Sequence, residues 1–191
     1  MSLASPPTAE SDLALMSLVA RQDARAQRVL VERLSERVRR IARLLSGTSV
    51  DPDDAAQLAL LEILRSAASF RVATNLERWA DRISARTTLR LVRREHQRRS
   101  LLTRWLVPGA LPWGKRDEAN QGERIGLDSI LARLSPPRRE ALVLRHALEF
   151  SIEEIAELTG APEGTVKDRL VAARKQMRRL LERDIPERRS G

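Results

Sequence analysis

Cysteine and tyrosine are absent from this chain of 191 residues, and aromatic side chains make up only 3% of it. Without a thiol there is no disulfide framework, no cysteine-ligated zinc and no thiol nucleophile. The two histidines, His96 and His146, lie far apart in sequence, which excludes a multi-histidine metal site and disfavours a Ser/His/Asp arrangement. No apolar run approaches the roughly 20 residues that span a bilayer. The stretch Met1–Asp12 has neither the basic nor the apolar segment of a secretory signal, so a soluble, cytoplasmic protein is expected. No glycine-rich phosphate loop, paired-carboxylate site or metal cluster stands out. The expectation is therefore a protein that is not an enzyme, with no catalytic residue, no metal and no cofactor.

What the chain does have is positive charge: 35 Lys and Arg against 26 Asp and Glu, a formal +9. Leu, Ala, Arg and Glu dominate, and these are helix formers, whereas the residues favoured in strands are sparse. The chain reads as all-α. Residues 1–11 are small, polar and proline-bearing, a disordered N-terminus. A helical pattern fills 12–100. Residues 101–125 hold two Pro, three Gly and two Trp, a flexible-linker composition, before the helical pattern returns over 126–184 and a polar tail closes 185–191. Two small helical domains joined by a tether are expected. Residues 13–100 carry a net +8 and 126–184 a net +1, and the excess peaks in Asp81–Arg99, where seven Arg face Asp81 and Glu95. Such a footprint suits nucleic acid, or less often an anionic membrane.

In the second domain Ser151 and Glu154 fit a capping box opening a short helix to Thr159, with Ile155, Ala156 and Leu158 as its apolar positions. Gly160 suits a left-handed stop, and Pro162 pre-sets a longer helix from Glu163 to about Arg183. Val166, Leu170, Ala173, Met177 and Leu180 recur at spacings of 3 and 4, while Lys167, Arg169, Arg174, Lys175 and Arg178 lie opposite. A short helix, a glycine turn and a longer basic helix make a helix-turn-helix, which places its second helix in the major groove. An ordinary helical hairpin would show the same pattern, and Asp168 weighs against DNA. Upstream, Ser135-Pro136-Pro137 starts a helix to about Ala147 with Ala141, Leu142, Leu144 and Leu148 free to pack.

In the first domain Asp51-Pro52-Asp53-Asp54 reads as a helix start rather than a metal cluster, with Asp51 as cap and two carboxylates at the positive helix end. The helix it starts, Ala55 to about Arg65, is apolar almost all round, so it is either central in the core or half-covered by a partner protein. The helix from Leu76 to about Arg99 has Trp79, Ile83, Thr87 and Leu91 on one side. Arg82, Arg86, Arg90 and Arg93 or Arg94 form a stripe beside them, with planar forks suited to phosphate or guanine. Leu30, Leu34, Val38, Ile41 and Leu45 give an earlier helix, about Arg25–Leu45, its core face.

These motifs, in this order, resemble the extracytoplasmic-function (ECF) group of bacterial sigma-70-type RNA polymerase sigma factors. DAAQLALLEIL (54–64) is similar to the group's core-binding segment, WADRISARTTLRLVRR (79–94) to the segment around its −10 reading helix, and residues 134–181 to its −35-binding domain. GTVKDRLVAARKQMR (164–178) is the most specific piece. The resemblance implies a promoter-specificity subunit whose first domain is region 2-like and whose second is region 4-like. It implies that Asp54, Gln57, Leu58 and Leu61 dock on the clamp of the polymerase β′ subunit. Arg82, Arg86, Arg90, Arg93 and Arg94 would face the −10 element, with the 66–75 loop holding an unstacked base. Glu163, Thr165, Lys167, Arg169, Arg174 and Lys175 would lie at the −35 element. The implied partners are core RNA polymerase (β′ clamp and β), promoter DNA and an anti-sigma factor, and the linker would run toward the polymerase active-site channel. The group commonly has Asn where this chain has Arg86, Asp where it has Arg90, and Ser or Thr where it has Asp168, and its linker is less apolar than this one with Trp105 and Trp113. The alternative is a stand-alone helix-turn-helix regulator, which would leave the 55–64 helix and the arginine helix unexplained.

Overall fold

The computed structural model describes residues 9–71, 75–106 and 127–184, and among them there is no strand. Eight helices follow in order: α1 (Ala9–Ala20), α2 (Ala24–Ser46), α3 (Pro52–Arg65), α4 (Leu76–Leu106), α5 (Leu127–Ala132), α6 (Pro136–His146), α7 (Ile152–Thr159) and α8 (Glu163–Asp184), with a 3₁₀ turn at Ala67–Ser69. The all-α expectation is met. Packing divides the chain into two units. The first holds α1, α2 up to Ala42, α3 and α4 up to Thr88; the second holds 43–51, α4 from Leu89, and α5–α8.

Local chemistry explains where the helices of the first unit start. Asp23 caps α2, its carboxylate accepting from the Ala26 N–H at 2.7 Å. Asn75 caps α4 in the same way, accepting from the Arg78 N–H at 2.9 Å. α1 opens at Ala9, inside the segment read as a disordered N-terminus, whose residues 1–8 lie outside the described ones. α4 is likewise longer than its pattern suggested, continuing six residues into the expected linker. Nothing between Leu101 and Leu106 breaks a helix, and the first proline is Pro108.

The core of the first unit is built on α2, whose Leu30, Leu34, Val38 and Ile41 are all buried, against Met16 and Val19 of α1, Ile63 of α3 and Phe70. The inward face of α4 differs from the expected one. Trp79, Ile83 and Leu91 are only half-buried, and of that set Thr87 alone is buried. Leu76, Ala80, Asp81, Ser84, Ala85 and Thr88 turn inward instead. The cause is electrostatic. Arg33 of α2 bridges Asp12 of α1 and Glu77 of α4, and Arg37, one turn on, grips Asp81 with two bonds of 2.5 and 2.7 Å. Asp81 is 2% exposed, so its charge has to be met by a partner. Drawing Glu77 and Asp81 onto α2 rotates α4 away from the apolar face its pattern suggests. Trp79 keeps a role at the margin, its ring meeting Phe70 edge to face at 5.6 Å.

Burial pushes the Glu77 carboxyl up, but the Arg33 hydrogen bond, helped by the charges of Arg33 and Arg37, holds it below its ordinary value. A lowered carboxyl stabilises the fold at neutral pH and loses that contribution as pH falls through the folded value. Glu77→Gln is therefore expected to lower stability in urea unfolding at pH 7. The gap to wild type should stay full above about pH 4.3, the usual glutamate value, and close as pH drops further. An equal gap at every pH would show that the charge is not the cause.

Candidate nucleic-acid interface

Three surfaces carry the residues singled out above. On α3 three alanines and Ile63 go in, while two of its leucines stay out. Ala55, Ala56, Ala59 and Ile63 are buried, whereas Asp54, Gln57, Leu58 and Leu61 are exposed at spacings that put them on one face. Leu58 and Leu61 keep 43% and 47% of their surface, among the most exposed large apolar side chains described. The helix is therefore not buried all round.

On α4, Arg86, Arg90, Arg93 and Arg94 are exposed and Arg82 is half-buried, at intervals of three and four along one helix. Beyond them the positive charge is partly neutralised, since Glu95 accepts from Arg98 at 3.0 Å and from Arg99 at 2.9 Å. Those bonds, Arg98 first, hold the Glu95 carboxyl below its usual range. Arg93 differs from its neighbours. Its guanidinium donates to the carbonyls of Thr159 at 2.9 Å and Leu158 at 3.4 Å. Of the 66–75 loop, residues 72–74 lie outside the described ones, as do 107–126, which include Trp113.

The third surface is the helix-turn-helix of α7 and α8. Both halves of the capping box are present: the Ser151 hydroxyl accepts from the Glu154 N–H at 3.1 Å, and the Glu154 carboxylate accepts from the Ser151 N–H at 2.8 Å. Gly160 stops α7 at φ +65°, in the left-handed region that only glycine enters without strain. Val166, Leu170, Ala173 and Leu180 of α8 are buried with Ile155 and Leu158 of α7 and Ala141, Leu142 and Leu144 of α6. Met177 is half-buried. Gln176 pins the register of α8, accepting from Arg138 at 2.8 Å and donating to the Arg133 carbonyl at 3.2 Å.

With that face inward, Glu163, Thr165, Lys167, Arg174 and Lys175 are exposed, while Arg169 is half-buried. Asp168 is exposed among them. Arg145 and His146 at the end of α6 join Ile152, Lys167, Leu170, Val171 and Arg174 around a shallow cleft of about 340 Å³. Arg145 is oriented there by its bond to the Phe150 carbonyl at 3.0 Å. Sequence reasoning missed this contribution of α6. Its signal is the Arg-His pair at a helix C-terminus, which also reads as ordinary dipole compensation.

Two charges on α6 lie deep in the second unit. Glu140 is 6% exposed, and burial raises its pKa against the opposing fields of Arg93, Arg139 and Arg169. Arg139 is 2% exposed and its pKa is lowered by burial. Among the described residues no group of His, Cys, Asp and Glu could hold a metal ion, and no helix is long and apolar enough to cross a membrane.

The chain is similar to known families over both halves. The model of sigma-70 region 2 matches residues 30–99, and that of sigma-70 region 4 matches 124–177. Among curated proteins, the ECF RNA polymerase sigma factor SigM of Mycobacterium tuberculosis H37Rv is 34% identical over 90% of this chain and 85% of its own length. SigE of Mycolicibacterium smegmatis is 32% identical over 80% of this chain and 60% of its own length. EcfG of Rhodopseudomonas palustris is 31% identical, over 75% and 78%. Among solved structures, CnrH in complex with the cytosolic domain of CnrY aligns with a TM-score of 0.55 and 24% identity, covering 91% of this chain and 98% of that one. RpoE of Bartonella quintana, solved with the anti-sigma factor NepR, aligns at 0.57 and 24%, covering 81% and 96%. At that identity these two speak for the fold alone.

The capping box yields a direct check on the helix-turn-helix. Ser151→Ala is expected to cost about 1 kcal/mol of unfolding free energy, read by urea denaturation, and an unchanged midpoint would mean the box is not formed in solution.

Proposed function

We propose, from the fact that this chain belongs to the ECF RNA polymerase sigma factors, that it binds core RNA polymerase through α3 and directs initiation at promoters read by α4 and α8. The observation that carries this is the inversion on α3: alanines face the core while Leu58 and Leu61, beside Asp54 and Gln57, face solvent. A helix that leaves two of its leucines exposed on one face is built for a partner, and an apolar patch beside one acid and one amide suits a protein surface. The stand-alone regulator has no use for it. Asp54, Gln57, Leu58 and Leu61 then form the polymerase contact, on the β′ clamp, with the β subunit also within the complex.

The promoter contacts divide between two helices. Arg82, Arg86, Arg90, Arg93 and Arg94 present guanidinium forks to the −10 element, and Glu163, Thr165, Lys167, Arg169, Arg174 and Lys175 lie at the −35 element. Most of these contacts position the protein on phosphates; Glu163, Thr165 and Lys167 sit in the first turn and a half of α8, where a recognition helix meets base edges. The promoter-binding parts are residues 12–100 and 126–184, joined by 101–125. The tether makes the second contact intramolecular once the first has formed. The protein works in the cytoplasm with the polymerase, carries out no reaction of its own, and is held in check by an anti-sigma factor, as the solved relatives bound to CnrY and to NepR suggest.

Two substitutions separate the surfaces. Leu58→Arg changes an exposed position and should leave folding within about 0.5 kcal/mol, yet cost about 2 kcal/mol or more of core-polymerase affinity, a loss of about 30-fold. Core binding at wild-type strength would refute the α3 assignment. Arg174→Ala and Lys175→Ala should each weaken −35 binding and lower the log–log salt slope by about 0.9. A slope that does not move would take α8 off the DNA.

A further inference from the structure

Helix α8 is net basic, yet its outermost ridge is not. At 3.6 residues per turn, side chains at i, i+4, i+7 and i+11 share a line along a helix. Val166, Leu170 and Ala173 mark the line that is buried. Gly164, Asp168, Val171 and Lys175 mark the line about 180° away from it, and all four are exposed. Arg169 and Arg174 lie to either side of that ridge. The part of α8 that reaches farthest from its own core therefore presents a glycine, a carboxylate and a valine before its first cation.

Val171 keeps 60% of its surface, the highest figure among the exposed large apolar side chains described. The apolar group that a base edge offers to such a side chain in the major groove is the thymine methyl. Asp168 is chemically more restrictive. The cations around it draw phosphates in, and phosphates repel a carboxylate. Lys167, the next residue, is turned to Glu163 one turn back, 3.9 Å away. A carboxylate on this ridge is compatible with DNA where it meets a hydrogen-bond donor, and the major-groove donors are the amines of cytosine and adenine. Adenine sets its N7 acceptor beside the amine, where it opposes a carboxylate, whereas cytosine presents the amine alone. Cytosine is the matching base.

We infer that Asp168 and Val171 read bases in the −35 element, Asp168 accepting from a cytosine N4 amine and Val171 packing on a thymine methyl. This rests on the reading of α8 as the −35 helix, and it adds two side chains that carry sequence information to cations that position the helix on phosphates. Three residues of helix rise by ~4.5 Å, against about 3.4 Å for each base step. The cytosine and the thymine therefore lie within about two steps of each other. The carboxylate also penalises every sequence that lacks an amine at its place, so discrimination comes from repulsion as well as from contact.

The test assembles the full chain with core polymerase and selects from the DNA upstream of its own gene with the −35 segment randomised. The bound pool should show a cytosine position and, within about two steps, a thymine position. Asp168→Asn, at an exposed site, should convert that cytosine to adenine, because an amide pairs with adenine N6 and N7, and shift the preference by about fivefold or more. In a selected duplex, exchanging the thymine for deoxyuridine removes the methyl. That should weaken the parent about fourfold, the value of one apolar carbon, and leave Val171→Ser unmoved. A pool without the cytosine position would overturn the inference. So would an Asp168→Asn variant that binds all sequences more tightly by one common factor, since the carboxylate then only repels phosphate. Equal deoxyuridine losses in parent and Val171→Ser would take the valine off the base. Arg174→Ala on the same pool separates this from the reading beneath it. A salt slope lowered by about 0.9 keeps α8 on DNA whatever happens at Asp168, whereas an unmoved slope overturns that placement and the inference with it.

Discussion

A guanidinium cannot be left in a helical core without an acceptor, and most of this chain's 35 Lys and Arg are arginines that have to be placed somewhere. Arg33, half-buried, and Arg37, still exposed, are met by Asp12, Glu77 and the buried Asp81. That pairing sets the rotation of α4, because the acids are drawn to α2 and the rest of the helix follows. With positions 77, 80, 81, 84 and 88 turned inward, Arg86 and Arg90 lie on the exposed face of α4. The same ion pairs that hold the first unit together therefore set which arginines lie on the exposed face of α4.

α3 shows the complementary rule for apolar side chains. Three alanines and Ile63 make up the buried side of the helix, and small side chains there allow close packing against its neighbours. Leu58 and Leu61 lie outward, where burial by a partner can still recover their transfer free energy. α8 combines both patterns: valine, leucine and alanine seat it on α6 and α7, and the cations that remain face outward around the α6 terminus. Partner binding and DNA binding are thus by-products of how a basic, leucine-rich, aromatic-poor chain fills its cores.

Much of this was legible from residue order. The core face of α2 is buried from Leu30 through Leu45 as its spacing required, and the capping box, the Gly160 stop and the inward face of α8 follow from local chemistry that tertiary context did not override. The face of α4 was not legible, because periodicity weighs Trp79 and Ile83 as core and cannot see that Asp81 has an arginine waiting on another helix. A signal did exist: Arg33 and Arg37 are one turn apart, and so are Glu77 and Asp81, so the two pairs match in register. The burial of Arg139 had no such signal, since it depends on the space left by Gly47, far away in sequence. Nor did the left-handed turn at Glu149, φ +55°, where a non-glycine residue ends the α6 segment so that the Phe150 N–H can reach the Leu144 carbonyl.

The account's central claim is that these surfaces act together on a promoter, and run-off transcription tests it most directly, using core RNA polymerase, this protein and the DNA upstream of its own gene. A discrete transcript that requires the protein is the predicted result. Absence of both a transcript and any binding to core would contradict the claim and leave a stand-alone DNA-binding protein in its place.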